Sequence, residues 1–507
     1  MKKIILLCTT ILYINIALSQ SDSLKEKFLL KSMQNYIENI AHLPLRSSLV
    51  GAEFGYSGVF WSKIDGDFHT VQMPETSRTY GFSSMGNRAV KSWMIEGRFE
   101  YQNQRQDSIG WKQTRDVFST PYYFSNIKKG NWRNDVFDSY VNASRYFFDE
   151  KLALGLGVDY SLQTHSRGSD PRPLINYFYI NPKIQIAYQF IPGHQIAVGG
   201  NLRRAMERGN ISNFNLSNDS FGRTEYNLYT MMGGASFNLL RRPTYELGEE
   251  GFGYSLAYYF QKSQWILSNE FNYTLNSKSF VRLGIDGSQR IFEEIGIFDQ
   301  EIISNKFFAQ FSNSSRIIQL NAETFQNYGS DFNNIFAGNN YQRDNLGYYL
   351  KILHEFKNIK SFSILADFGV NNLAERDFNA SHAYQISNMN FGAGFQLPIS
   401  INEKVQLLPS LKGNYRMNIL KDVNILQSQI NIVSNSVFIP NIDYFSIDFV
   451  EIIPEITAKI KFKKIELNPS VYADLVTSQN SQSHLSGYFL SRGNQRNSLG
   501  ISLYFIH

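Results

Sequence analysis

Polar and apolar residues alternate strictly over long stretches of this chain. From Leu152, the residues Leu152, Leu154, Leu156, Val158, Tyr160 and Leu162 are apolar, while Ala153, Gly155, Gly157, Asp159, Ser161 and Gln163 between them are small or polar. Successive side chains of a strand point to opposite faces, so such a segment has one greasy and one wet face. The pattern returns at Phe178 to Phe190 and at Trp93 to Tyr101. Further copies run through 252–260, 362–370, 405–415, 465–475 and 499–505.

Read end to end, the alternation predicts strands near 48–61, 68–84, 89–102, 136–147, 151–163, 176–190, 194–204, 223–239, 252–261 and 264–274. It continues near 278–288, 302–313, 315–326, 346–357, 360–372, 384–397, 403–417, 445–461, 464–475 and 495–507. That is about 20 strands, with 18 to 22 compatible with the pattern, since 424–440 adds or absorbs a hairpin. Most exceed the five or six residues usual in globular sheets and match the roughly 9 to 11 that cross a bilayer at a tilt. Aromatics such as Trp61, Trp93, Tyr101, Phe190, Trp265 and Tyr273 mark the ends of the apolar faces, where interfacial girdles belong. A soluble sandwich or solenoid also alternates, but with shorter strands and aromatics in its core. The expected fold is therefore all-β, a transmembrane antiparallel outer-membrane β-barrel over residues 48–507.

The connections support an even-stranded barrel. Short turns at 148–150, 191–193, 313–314, 358–359 and 463 fall on the periplasmic side, and the long connections 103–135, 205–222, 327–345, 418–444 and 476–494 fall outside. Two segments misfit: 240–251 is a long periplasmic turn, and Lys262-Ser263 a short outer one. Leu499, Ile501, Leu503 and Phe505 share one face of the closing strand, although the chain ends on His507 rather than an aromatic residue.

Composition narrows the class. The 507 residues include 40 Phe, 30 Tyr and 5 Trp but only 18% charged residues, below a typical ~25%, which excludes a disordered chain. Residues 1–19 read as a cleaved signal peptide: Lys2 and Lys3, an apolar run from Ile4 to Ile16, then Ala17-Leu18-Ser19. The run is too short for a spanning helix. Its Cys8 is the chain's one cysteine, preceded by Leu7 and too near the start for a lipobox, so the mature chain has neither disulfide nor thiolate. Two of the charges behind the net +5 leave with the signal, and no nucleic-acid partner is expected.

A barrel of this size is wider than its own side chains fill. Residues 20–47, an N-terminal periplasmic segment, carry Leu29, Met33, Tyr36, Ile37 and Ile40 at helical spacing before Pro44, as either a small plug or a frayed, partly helical terminus. The loop 103–135, with Trp111, Tyr122, Tyr123 and Trp132, is a second candidate to fold inward. Inward charges of both signs, Glu96, Arg98, Glu100, Asp159, Lys183, Glu270, Lys351 and Asp367, suit a mixed lumen or salt bridges bracing the wall.

Chemistry is sparse. The histidines His42, His69, His165, His194, His354, His382, His484 and His507 do not pair at metal-ligand spacing, and there is no nucleophile elbow, phosphate loop or calcium loop. No catalytic, cofactor-binding or metal site is assigned, no cofactor is implied, and an enzyme is not expected. Asp170-Pro171-Arg172-Pro173, with Arg167 before it, is the most distinctive stretch, read as a charge pair holding its loop folded.

Pro121-Tyr122-Tyr123-Phe124, Gly130-Asn131-Trp132 and Asp170-Pro171-Arg172, preceded by Gly66-Asp67-Phe68 and Phe99-Glu100-Tyr101, resemble a family of outer-membrane β-barrels of unknown function from Bacteroidota. The resemblance spans most of the mature chain, with its clearest motifs in 60–175, and implies location and fold. Such barrels are similar to companions of TonB-dependent transport systems. The expected role is a channel or a component of substrate uptake in the Gram-negative outer membrane, its surroundings outer-membrane lipids. The alternatives are an accessory barrel binding a TonB-dependent transporter or surface lipoprotein, and an outer-membrane hydrolase.

Overall fold

The computed structural model describes residues 53–215, 217, 223–240, 244–286, 289–357, 362–463, 465–479 and 494–506. The signal peptide, the 20–47 segment, His42, His484 and His507 lie outside them. The strands are β1 (Phe54–Gly66), β2 (Thr76–Val90), β3 (Trp93–Ile109), β4 (Tyr122–Ser125), β5 (Gly130–Phe147), β6 (Leu152–Arg167), β7 (Arg172–Ile191), β8 (His194–Ser212), β9 (Leu228–Met232), β10 (Phe237–Leu240) and β11 (Thr244–Lys262). There follow β12 (Trp265–Asp286), β13 (Gln289–Ser312), β14 (Arg316–Asn333), β15 (Tyr341–Phe356), β16 (Ser363–Asp377), β17 (His382–Gln396), β18 (Ile399–Ser400), β19 (Val405–Ile425), β20 (Phe449–Lys461), β21 (Glu466–Ser478) and β22 (Gln495–Ile506). A helical stretch, Ser434–Phe438, runs into α1 (Ile439–Ser446).

Eighteen long strands pair antiparallel with their chain neighbours, and β1 pairs with β22, closing the sheet into a barrel; β18 is a two-residue addition on β19. Closure leaves no free edge, which is what lets a sheet sit in hydrocarbon. The count falls within the range expected from the pattern, and two segments account for the difference from twenty. The 223–239 stretch is not in the wall: it forms the β9–β10 hairpin of a separate three-stranded sheet, β10-β9-β4. Stretches 264–274 and 278–288 are one strand, β12. With these changes both misfitting turns disappear, because 213–243 becomes a long connection and Lys262-Ser263 joins the short-turn end.

Short-turn geometry explains the tight end. Gly193 sits at φ +82°, and a Cβ there would lie 2.3 Å from the Gln261 carbonyl oxygen, so the β7–β8 turn takes glycine.

The wall has two zones. On β8, β11 and β12 the outward residues Leu202, Phe252 and Leu275 stand in register, and Leu202 and Phe252 are 65% and 50% exposed. One outward position further, Arg204 and Glu250 form an ion pair at 3.7 Å beside Ser277, and Arg208 pairs with Glu246 at 2.8 Å beyond it. From Trp265 to Leu275 is ten steps, or roughly 26 Å at ~3.4 Å per residue and ~40° of tilt, the height of a hydrocarbon band. Beyond Leu275 the wall continues as a crown whose outer face on β8 and β11 carries these ion pairs.

Inside the crown the apolar phase inverts. Tyr245, Leu247, Phe280, Ile295, Phe298 and Ile211 are buried on the inward face and pack around Tyr122, Phe124, Leu228 and Met232 of the small sheet. The largest buried apolar cluster among the described residues thus forms where the barrel's own loops fill it.

Candidate functional site

Three carboxylates on the crown wall hold those loops, and each is saturated with donors. Glu207 of β8 accepts the Thr114 hydroxyl at 2.6 Å, the Tyr245 hydroxyl at 2.7 Å, and both the backbone N–H and Nε of Arg115 at 3.2 Å. Asp331 of β14 accepts the Tyr122 hydroxyl at 2.5 Å and the N–H groups of Asn340 and Tyr341 at 2.7 and 2.6 Å. Asp377 of β16 accepts Ala235 N and Ser236 N at 2.8 Å, Ser236 Oγ at 2.6 Å and Ala380 N at 3.0 Å. A buried carboxylate is stable only when its lone pairs are filled, so these positions demand the plug segments that satisfy them.

Four connections make up the plug. Segment 110–129 carries β4, 213–243 carries β9 and β10, 426–448 carries α1, and Thr70–Met73 packs beside them. Gln72 donates to Tyr123 Oη at 2.8 Å and to the Trp111 carbonyl at 3.2 Å, while Asn441 Nδ2 donates to Gln72 Oε1 at 3.2 Å. Burial pushes the Tyr123 phenol up and pulls Lys112 down to about 8. Lys278 donates to the Ser119 carbonyl at 2.7 Å, and Arg343 to the Phe118 carbonyl at 2.8 Å, tying the same loop to β12 and β15.

Below the plug the lumen is polar. Facing positions across adjacent strands carry Glu270 and Lys306, Lys306 and Glu323, and Lys351 and Asp367. Of the inward charges expected from the sequence, Arg98–Glu100 and Lys183–Asp159 pair with each other at 2.5 Å, and Asp367 pairs with Lys412 at 3.0 Å. A cavity of about 380 Å³ lies along the Lys306, Glu323, Lys351 and Asp367 wall, and one of about 330 Å³ lies directly beneath the plug; they meet at Arg416.

A model of the family of unknown function DUF6850 matches residues 47–506. The chain belongs to this family. Among curated proteins no relative matches it. Solved structures similar to this DUF6850 chain include the ferric yersiniabactin uptake receptor FyuA from Yersinia pestis, 10% identical, TM-score 0.47, covering 90% of this chain and 80% of that one. BauA, the ferric preacinetobactin receptor from Acinetobacter baumannii, is 7% identical with TM-score 0.40, over 90% and 80% of the two chains. OccAB3 from Acinetobacter baumannii is 10% identical with TM-score 0.37, over 90% and 100%. At these values the likenesses carry no argument about substrate.

The sequence motifs of this DUF6850 chain find structural roles. Asp170 pairs with Arg172 at 2.8 Å and accepts the N–H groups of Phe214 and Asn215 at 2.9 and 3.0 Å, so it fastens the start of the connection that carries β9 and β10. Arg167 donates to the Asp170 and Lys129 carbonyls at 3.3 and 3.4 Å, joining that clamp to the end of the β4 segment. Among the described residues no group of three or more His, Cys, Asp or Glu is placed to hold a metal ion. His165 meets Gln163, His194 meets Tyr258, and His69 meets the Thr70 carbonyl. His382 and Ser434 lie 3.0 Å apart, but they are 1% and 0% exposed, so the contact pins the helical segment to β17 beyond reach of any substrate.

The loop 103–135 does fold inward, through 110–129. The hairpin at 228–240 and the helical segment 434–446 were not foreseen as plug elements. Gly233 and Gly234 between β9 and β10 were the available signal for a hairpin turn.

Proposed function

We propose that this protein is an outer-membrane channel or uptake component whose lumen is closed at the loop end by a plug made from its own connections. The observation that carries this reading is the pairing of a closed eighteen-stranded wall, greasy over one bilayer thickness, with a polar lumen capped by a hydrogen-bonded plug. An eighteen-stranded barrel without internal filling leaves an aqueous path, so a plug in this position controls passage. The short-turn end faces the periplasm and the crown faces outward, the orientation of outer-membrane barrels. Export through the N-terminal signal and residence among outer-membrane lipids complete the reading.

The test is conductance of the purified barrel in a planar bilayer, before and after the plug is loosened. Small or absent steps that grow into steady openings support a gated channel. Silence in both states, with the protein properly inserted, refutes it. Removing residues 20–47 tests a second closure at the periplasmic mouth, where the same reading expects conductance to rise.

One observation favours the accessory reading: Phe292, Phe332, Phe336 and Phe378 are 64%, 49%, 40% and 48% exposed at the loop end. Such apolar residues above a lipid band suit contact with a neighbouring transporter or lipoprotein. Co-purification of a stoichiometric partner in mild detergent, lost when these four are changed to Ser, supports that role, and an unaltered partner count refutes it.

A further inference from the structure

The cavity beneath the plug has an unbalanced lining. Arg343, Arg416 and Arg496 face it, and among the described residues no carboxylate does. Arg343 pairs with Glu375 at 3.5 Å, whereas Arg416 and Arg496 have Asp448 and Asp474 in their neighbourhood but, among the described residues, no carboxylate within 4.0 Å. Arg416 is fixed in place: its Nε and Nη2 donate to the Ile447 and Tyr444 carbonyls at 2.9 to 3.2 Å, and its guanidinium lies 4.3 Å from the Phe449 ring centroid. A guanidinium held in this way leaves Nη1 as its uncommitted nitrogen, a fixed charged donor for an anion.

The rest of the lining gives that anion a body. Phe118, Tyr444 and Phe445 bring aromatic surface to the cavity, and Asn345, Asn371 and Asn388 bring neutral amides. A volume near 330 Å³ lies at the small end of ligand pockets. The wider cavity below is different: Glu323, Asp367 and Glu451 offset its lysines. Positive charge is thus least compensated at the upper chamber, and an anion in the lumen is drawn up toward the arginines.

From this geometry we infer that the chamber under the plug binds a small organic carboxylate with a flat apolar body. The inference rests on the uptake reading by naming the solute class of the same lumen. Its test is binding in detergent, which requires no conduction, so the two fail separately.

Calorimetric titration of the full-length barrel uses benzoate as probe, with uncharged benzamide and inorganic phosphate as the comparison ligands. Benzoate is expected to bind at least about tenfold more tightly than either. Arg496→Gln, at a residue that ties down no plug carbonyl, is expected to weaken benzoate about tenfold. Arg496→Lys, which keeps the charge, is expected to recover most of that loss, and Arg204→Gln on the crown exterior to bind as the parent does. Equal binding of benzoate and benzamide, phosphate binding as tight as benzoate, an undiminished Arg496→Gln variant or no binding by the parent would each overturn the inference. If Arg496→Gln fails to fold, the three-ligand comparison on the parent still decides it.

Discussion

Asp377→Asn is the smallest change that should open the plug. The side chain is 2% exposed, and its two oxygens accept four hydrogen bonds, two on each. An amide of the same shape has one oxygen. If its NH2 takes the Oδ2 position it faces the N–H groups of Ala235 and Ser236; if it takes the Oδ1 position it faces the Ser236 hydroxyl and Ala380 N–H. Either way at least one backbone donor at the β9–β10 turn or the β16–β17 turn loses a charged acceptor. Bonds to charged groups contribute about 1.5 to 3 kcal/mol each. The net loss of about two is then roughly 3 to 6 kcal/mol, a shift of roughly two to four powers of ten in the plug-opening equilibrium. Amide exchange resolved by peptide reads this directly. Protection across 228–240 should fall by that factor while the wall at Leu256 keeps its own. Asp344→Asn, whose carboxylate accepts from the Gln326 side chain at 3.2 Å, should leave the plug unaltered. A change below threefold at 228–240 would refute the latch. Normal plug loosening with conductance no greater than the parent's would keep the latch and refute the gate.

Other expectations are simpler to state. Leu256→Arg places a cation on the outward face inside the apolar band and should cost about 2 to 4 kcal/mol in reversible unfolding from lipid vesicles; no loss there would mean the bilayer lies elsewhere on the wall. Gly209→Val should displace the Tyr245 ring, because a Cβ at Gly209 already lies 2.0 Å from Tyr245 Cε1, and should destabilise the plug by about 1 to 3 kcal/mol. An unchanged urea midpoint for the fluorescence of Trp111 would contradict it. Plug stability should also rise between pH 8 and pH 10.5. Burial holds Lys112 near 8, below its ordinary 10.5, so over that window the open state binds more protons than the closed state, and closure tightens as protons are removed. Lys112→Met should flatten the slope, and a stability that falls across the window would contradict the assignment.

The wall was legible wherever its outer face meets lipid, because there hydrophobicity and strand periodicity report the same thing. Strands β6 and β7 alternate without interruption, and the structure puts their expected greasy residues outward. The expected ends were short on the crown side: β8 runs to Ser212 rather than 204, β11 begins at Thr244 rather than 252, and β13 begins at Gln289 rather than 302. On β8 and β11 the outward positions here include Arg204, Arg208, Glu250 and Glu246, while apolar residues such as Tyr245 and Leu247 move to the inward face. A reader tracking one greasy face sees the pattern stop where it has changed sides. The division of β12 into two expected strands has the same cause, with Leu275 outward, Phe280 inward and a register shift at Phe280/Val281. The plug hairpin misled in another way. All five residues of β9 are buried, Leu228 to Met232, so it has no wet face to separate it from a wall strand. The carboxylate latches were not legible at all, since an Asp at 331 or 377 shows nothing in sequence of the donors that loops a hundred or more residues away bring to it.

The phase inversion also fixes where the plug stands relative to the bilayer. Leu202, Phe252 and Leu275 close the apolar band, whereas Glu207, Tyr245 and Phe280, which hold the plug, lie five or more residues beyond them on the same strands. On these three strands the apolar band therefore ends before the residues that grip the plug, and the crown there can rearrange without exposing polar backbone to hydrocarbon. The membrane zone has the opposite character: its lumen is wet, and its shape is held by ladder hydrogen bonds and by ion pairs such as Lys183–Asp159. Opening then requires only exchange of the plug's hydrogen bonds for water, at a level where water is present on both sides of the wall. A barrel with its plug buried at mid-membrane would have to carry those unsatisfied carboxylates through the least forgiving depth of the bilayer. Placing Glu207, Asp331 and Asp377 in the crown makes a reversible plug compatible with a rigid membrane wall.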